Sequence, residues 1–145
     1  MGEVLALMRK GGVDGHLAFE VLTNSLFDSR VHRTSGAKIV EMRYSPPGLA
    51  VPLAIKDLRL ALAEAERAAV PMPAASLVND RLVGMAAWGW ADLDWSALGL
   101  LAAVDAGLAN RVEAAVARGG FDWKTRFTLF TAFDSALLAV ARDRQ

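Results

Sequence analysis

A chain of 145 residues is one ordinary domain's worth, and its sixteen basic and sixteen acidic side chains cancel to a formal net charge of +0, so no global field draws it to nucleic acid or to an anionic membrane. Zero cysteines exclude a disulfide framework, a thiolate zinc site and a cysteine nucleophile, while a hydrophobic fraction of 54% is high for a soluble chain and points to apolar surface that a partner covers. The longest apolar runs, such as 82–91, are too short for a bilayer, and "MGEVLALM" has an acid where a secretory leader needs a base and an alanine at the position that myristoylation needs as serine or threonine, so a cytoplasmic protein is expected.

In chain order, Gly2 to Lys10 carries Val4, Leu7 and Met8 at helical spacing and stops at Gly11-Gly12, like the end of a longer helix. Asp14 can cap a second helix running to about Asn24, with Leu17, Val21 and Leu22 inward. "DSRVHRTSGAKIVEMRY" reads as a less regular helix or helix-loop before Pro46-Pro47-Gly48. A long helix follows from about Val51 to Ala69, with Pro52 tolerated in its first turn and Val70-Pro71-Met72-Pro73 as its stop. A further helix from about Ala74 to Ala87 meets Gly89, and a capped helix starts near Asp94. Beyond it, residues 108–145 differ in character. A short helix to Arg118 and a Gly119-Gly120 break lead to a stretch where Trp123, Phe127, Phe130 and Leu137 favour a helix, although "RFTLFTAF" also alternates. The whole reads as all-α, an array of about six to eight helices.

The long helix is apolar on two sides. At about 100° per residue, Ile55, Leu58, Leu62, Ala65 and Ala69 form one stripe and Leu53 and Leu60 a second nearly opposite, the pattern of a helix sandwiched between layers. Lys56 stands at the edge of the second stripe. No acid lies three or four residues from it, and Asp57 likewise has no basic neighbour at those spacings. Periodicity leaves two readings open: a lysine that snorkels to water beside a first-turn acid that suits the helix dipole, or a lysine that lines a cleft facing another domain or an anionic ligand.

The stretch "PGLAVPLAIKDLRLALAEAERAAVPMP" presents, in order, a Pro-Gly before the helix, Lys-Asp-Leu followed by Leu-Ala, and a Val-Pro exit. It closely resembles the helical C-terminal domain of the β-hydroxyacid dehydrogenases, the family of 3-hydroxyisobutyrate dehydrogenase and 2-hydroxy-3-oxopropionate reductase, more distantly related to 6-phosphogluconate dehydrogenase. "LMRKGGVDGHLAFEVL" is similar to the preceding family segment and "GWADLDWSALG" to the Asp-rich Ser-Ala-Leu motif near the family's C-terminus. The resemblance covers about residues 2–107 and implies a helical substrate and dimerisation domain over 1–107, with 108–145 as a helical extension that has no family match.

In that family an N-terminal Rossmann domain binds NAD or NADP, a catalytic lysine and an asparagine stand one turn apart on the long first helix, and the Lys-Asp-Leu lysine faces the cofactor. The resemblance therefore implies Lys56 as a cofactor-binding residue, with Asp57 orienting local structure beside it. It implies no catalytic residue in this chain: Lys10 ends its helix rather than beginning it and is no substitute. No G-x-G-x-x-G fingerprint follows a strand here. The expectation is thus part of an NAD(P)-dependent oxidoreductase for small 3-hydroxy acids or semialdehydes, inactive as an isolated chain and expected to bind no nucleotide alone, with a homodimer through its helices and a separate Rossmann-domain chain as the expected partners. The alternative is a non-catalytic helical dimerisation or interaction domain.

The remaining polar groups carry plainer readings. His16 and His32 have no second histidine or carboxylate at helical metal spacing, so no metal site is expected. Thr23, Ser25, Ser29, Thr34 and Ser35 fall where the resemblance borders a substrate pocket, but hydroxyls at helix ends are mostly caps and turns. Arg30, His32, Arg33, Lys38 and Arg43 read as a solvated helix face sooner than an anion site, and Trp88, Trp90 and Trp95 as core or interface packing. No G-x-S-x-G elbow or acid-positioned histidine supports a nucleophilic triad.

Overall fold

The computed structural model describes residues 1–105 and Gly107, and these form six α-helices and one 3₁₀ turn with no strand among them. The helices are α1 (Gly2–Lys10), α2 (Gly15–Thr23), α3 (Arg30–Glu41), α4 (Val51–Arg67), α5 (Pro73–Ala87) and α6 (Leu98–Asp105), with the 3₁₀ turn Trp95–Ala97 leading into the last. The all-α class read from the sequence holds. The expected helices of 108–145 lie outside the described residues.

The helix starts follow local chemistry. Asp14 caps α2 by accepting the His16 and Leu17 amides at 3.0 and 2.9 Å, and Ser29 caps α3 by accepting the His32 amide at 3.1 Å. The Ser29 cap makes α3 a regular twelve-residue helix where the sequence suggested a less regular one. α4 ends as its sequence requires: Ala69 takes a left-handed φ of 55°, and the Val70 amide returns to the Ala65 carbonyl at 2.9 Å.

The core lies where α1, α3, α4, α5 and α6 converge, around Leu5, Val51, Leu82, Met85 and Leu100, each at most 1% exposed. α4 packs on α5, and α1 crosses α6 with backbones close enough that only glycines fit. A Cβ on Gly2 would sit 2.7 Å from the Gly99 Cα, and one on Gly99 would sit 2.6 Å from Ile39 Cγ2. Trp88 and Trp90 meet edge to face at 5.4 Å against this core, the packing role read for them, and Trp95 packs against it as well.

Three sequence expectations change. In α1 the inward residues are Leu5 and Ala6, while Leu7 and Met8 lie outside at 68% and 37% exposed. In α2, Leu17 and Val21 also face outward, and Ala18, Thr23 and part of Leu22 take the inner face. Both short helices offer apolar residues around most of their circumference, so which stripe is covered depends on the neighbours and not on the helix. In α4 the Ile55–Leu58–Leu62–Ala65 stripe turns inward as expected, short of Ala69, which lies beyond the helix end. The second stripe, Leu53 and Leu60, is open rather than sandwiched among the described residues.

Candidate functional site

Lys56 and Asp57 project from the second turn of α4 on its outer side, more than half exposed. They are not the unpaired couple that the three- and four-residue spacings suggested. Lys56 Nζ lies 2.7 Å from Asp57 Oδ1, because the long, flexible lysine side chain can fold back over the helix surface to the short carboxylate next to it even though their Cβ atoms diverge. An exposed pair of this kind stabilises by less than about 1 kcal/mol and leaves both groups available to a third.

The sequence-predicted basic face of α3 is largely neutralised within the chain. Arg33 pairs with Asp28 at 2.6 Å and Arg43 with Glu41 at 2.9 Å, both at the surface. The Asp28 carboxyl is held low by the hydrogen bond from Arg33, and the Arg33 guanidinium is held high by the same contact. His32 Nδ1 lies 3.0 Å from Ser29 Oγ with its ring edge-on to Phe27, and His16 is an exposed residue of the first turn of α2. The hydroxyls mostly serve the backbone: Thr23 Oγ1 donates to the Phe19 carbonyl at 2.8 Å, Ser25 to Leu22 at 3.1 Å and Thr34 to Arg30 at 2.9 Å.

Lys38 departs from the solvated-face reading. It turns inward to Asp94, whose side chain is 1% exposed, with Nζ 2.5 Å from Oδ2. The same oxygen accepts the Gly48 amide at 2.8 Å and the Leu49 amide at 3.3 Å, and Oδ1 accepts the Ser96 amide at 3.0 Å and hydroxyl at 2.6 Å. Burial alone would push this carboxyl up, but Lys38, Ser96 and Gly48 outweigh it and hold the group at about 2. Tyr44, whose carbonyl accepts the Asp94 amide at 2.9 Å, is buried beside it, and burial raises its hydroxyl well above the usual range. A Cβ on Gly48 would lie 3.1 Å from Lys38 Nζ and 3.5 Å from Asp94 Oδ2, so a larger residue there would need the ammonium to shift by a few tenths of an ångström. Fifty-six residues separate Lys38 from Asp94, so nothing local along the chain marks the pair beyond the Asp-x-Ser capping pattern at residues 94–96.

Behind this cluster opens a groove of about 430 Å³ between the start of α1, α3, α5 and α6. Its walls are mostly apolar, from Val31, Ile39, Leu77, Val78, Trp95 and Leu101, with Glu3, Ser35, Arg81 and Asp105 at its polar edge. Arg81 and Asp105 close on each other there at 2.5 Å. Of the five predicted hydroxyls, Ser35 is the one that lines this groove, and Lys56 is not among the groove's residues. Among the described residues no three His, Cys, Asp or Glu side chains gather as a metal site would require, and no helix is long and apolar enough to cross a membrane.

Of the helix starts, two are closed to a phosphate. The Gly11-Gly12 turn leads into α2, but the Asp14 carboxylate already occupies its first amides, held low by the Leu17 amide against the opposing effect of desolvation. Ser29 fills the same place on α3. Among the described residues, the exposed lysines are Lys10 at the end of α1 and Lys56 on α4.

The family described as NAD-binding of NADP-dependent 3-hydroxyisobutyrate dehydrogenase matches residues 1–102. An uncharacterised oxidoreductase of Bacillus subtilis (strain 168), YfjR, is 33% identical over 98 residues, which are 68% of this chain and 34% of that protein. The solved structure of 3-hydroxyisobutyrate dehydrogenase (YgbJ) from Salmonella typhimurium superposes with a TM-score of 0.64 at 25% identity, covering 69% of this chain and 35% of that one. The chain thus spans about a third of the length of these relatives.

Proposed function

Because the chain belongs to the 3-hydroxyisobutyrate dehydrogenase family, whose model matches residues 1–102, we propose that it is the helical portion of an NAD(P)-dependent oxidoreductase acting on small 3-hydroxy acids or semialdehydes. Lys56 lines the face that meets the cofactor. The observation that carries this reading is the placing of the Lys-Asp-Leu motif: Lys56 stands 58% exposed on α4, paired with Asp57 among the described residues.

The bound nicotinamide supplies the hydride chemistry. This chain's own contribution would be to present one ammonium that could hold a polar group of the cofactor, together with the helical wall beside it. Asp57, 2.7 Å from the ammonium, balances its charge locally. A catalytic lysine and the Rossmann fold belong, on this proposal, to sequence outside the described residues, and the isolated domain is inactive.

A second reading, a non-catalytic helical interaction or dimerisation domain, is favoured by the outward Leu7, Leu17, Val21, Leu53 and Leu60. Calorimetric titration of the full chain with NADPH and NADH, with its mass in solution measured alongside, separates the two. Binding that Lys56→Ala weakens about tenfold, the loss of one charge-assisted contact, supports the cofactor reading. Binding indifferent to that change refutes Lys56 as a cofactor residue, and absence of binding by a stable dimer, both alone and with a Rossmann domain of the family added, supports the second reading.

A further inference from the structure

The start of α4, on which Lys56 stands, is fixed from outside the helix. Its N-cap residue, Ala50, has no side-chain cap to offer. The first helical amide, Val51, donates to the Leu93 carbonyl at 3.1 Å, the Trp95 amide donates to Leu49 at 2.9 Å, and Ala50 and Asp94 pair as an isolated antiparallel bridge. Beside that bridge the Asp94 carboxylate gathers the Gly48 and Leu49 amides, and Lys38 joins α3 to the same oxygen. Lys56 lies five residues beyond Val51, so about 7.5 Å along the axis at the usual helical rise. Over so short a lever a rigid helix carries any change of direction at its entry to the ammonium.

We propose that Asp94, clamped by Lys38, is a positioning residue for Lys56: the pair fixes where α4 leaves the 93–95 segment and hence where the lysine meets its ligand. The inference rests on the reading that Lys56 faces a nicotinamide dinucleotide. Its physical core is charge neutralisation at a buried acid. With Lys38 in place the carboxylate stays dry and keeps its four other donors; without a cation it must draw in water, and the amides it shares with that water are those leading into α4. Were α4 held by its own packing on α5 alone, the pair would affect stability and leave Lys56 where it is.

The natural absence of cysteine makes a direct test simple. Nitroxide labels on Arg59→Cys and Arg30→Cys, both exposed, report the distance between α4 and α3 in the full chain while Lys56 remains intact. The expected result is a single narrow distance distribution in the labelled parent, a shifted or broadened one in Lys38→Met, and recovery in Lys38→Arg, which restores the cation. NADPH titration of the same proteins is expected to weaken about tenfold in Lys38→Met and to recover in Lys38→Arg. Asp94→Asn should act in the same direction, and Lys38→Met carries the test where that variant fails to fold. An unchanged distribution in a folded Lys38→Met whose melting temperature has dropped overturns the proposal. A changed distribution with NADPH binding that ignores Lys56→Ala instead overturns the cofactor reading and leaves the positioning of α4 standing.

Discussion

Replacing Asp94 by asparagine keeps the shape of the buried side chain and removes its charge. The magnitude follows from what the fold does to that carboxyl, which ordinarily titrates near 3.8 and here is held at about 2. At about 1.4 kcal/mol for each tenfold change in proton affinity, the anion is favoured by roughly 2 kcal/mol in the folded chain. Removing one partner of a fully buried pair costs about 3–5 kcal/mol, but Lys38 retains 26% exposure and can turn to water, which brings the cost down. Asp94→Asn is therefore expected to lose about 2–3 kcal/mol at neutral pH, read as a lower urea midpoint followed by far-ultraviolet circular dichroism. The sign with pH is fixed. A depressed folded value means that the stabilisation is fully present above the unfolded value near 3.8 and is lost as pH falls towards about 2. The gap between parent and variant should accordingly be constant from neutral pH down to about 4 and then close. A variant within about 0.5 kcal/mol of the parent at pH 7, or a gap that persists at pH 2, refutes the account.

Other sites give simpler expectations. Lys56→Ala should lower stability by less than about 1 kcal/mol, since its ion pair is exposed, and its effect belongs in nucleotide titration rather than in a melt. Gly99→Ala should destabilise despite alanine's better helix propensity, because the new methyl lies 2.6 Å from Ile39 Cγ2; the double variant with Ile39→Ala should show a favourable coupling in urea unfolding as the clash disappears. Asp14→Ala should lower the melting temperature by freeing the His16 and Leu17 amides, with the difference shrinking in acid because this carboxyl too is held below its ordinary value. Asn79→Leu should be neutral or stabilising by about 1 kcal/mol in the same denaturation assay, since Asn79 Oδ1 is buried without a partner.

What the sequence by itself determined is local. Asp14 before α2, the proline and glycine stops, Pro52 in the first turn of α4 and the inward Ile55–Leu58–Leu62–Ala65 stripe are written in residues a few positions apart, and the helices appear where those signals put them. The Lys-Asp-Leu context likewise identified the family, because the motif is contiguous along the chain. Tertiary structure decided which side of each helix was covered. α1 hides Leu5 and Ala6 rather than Leu7 and Met8, and α2 hides Ala18 rather than Leu17 and Val21, because a short helix with apolar residues on several sides has no preferred face until its neighbours arrive. Pairing of charges followed the same division. Neighbour spacing along one helix could not show that Lys56 bends onto Asp57, still less that Lys38 crosses to an acid fifty-six residues away, since burying Asp94 becomes favourable only when α3, the 45–49 loop and the 3₁₀ turn bring their donors to one point.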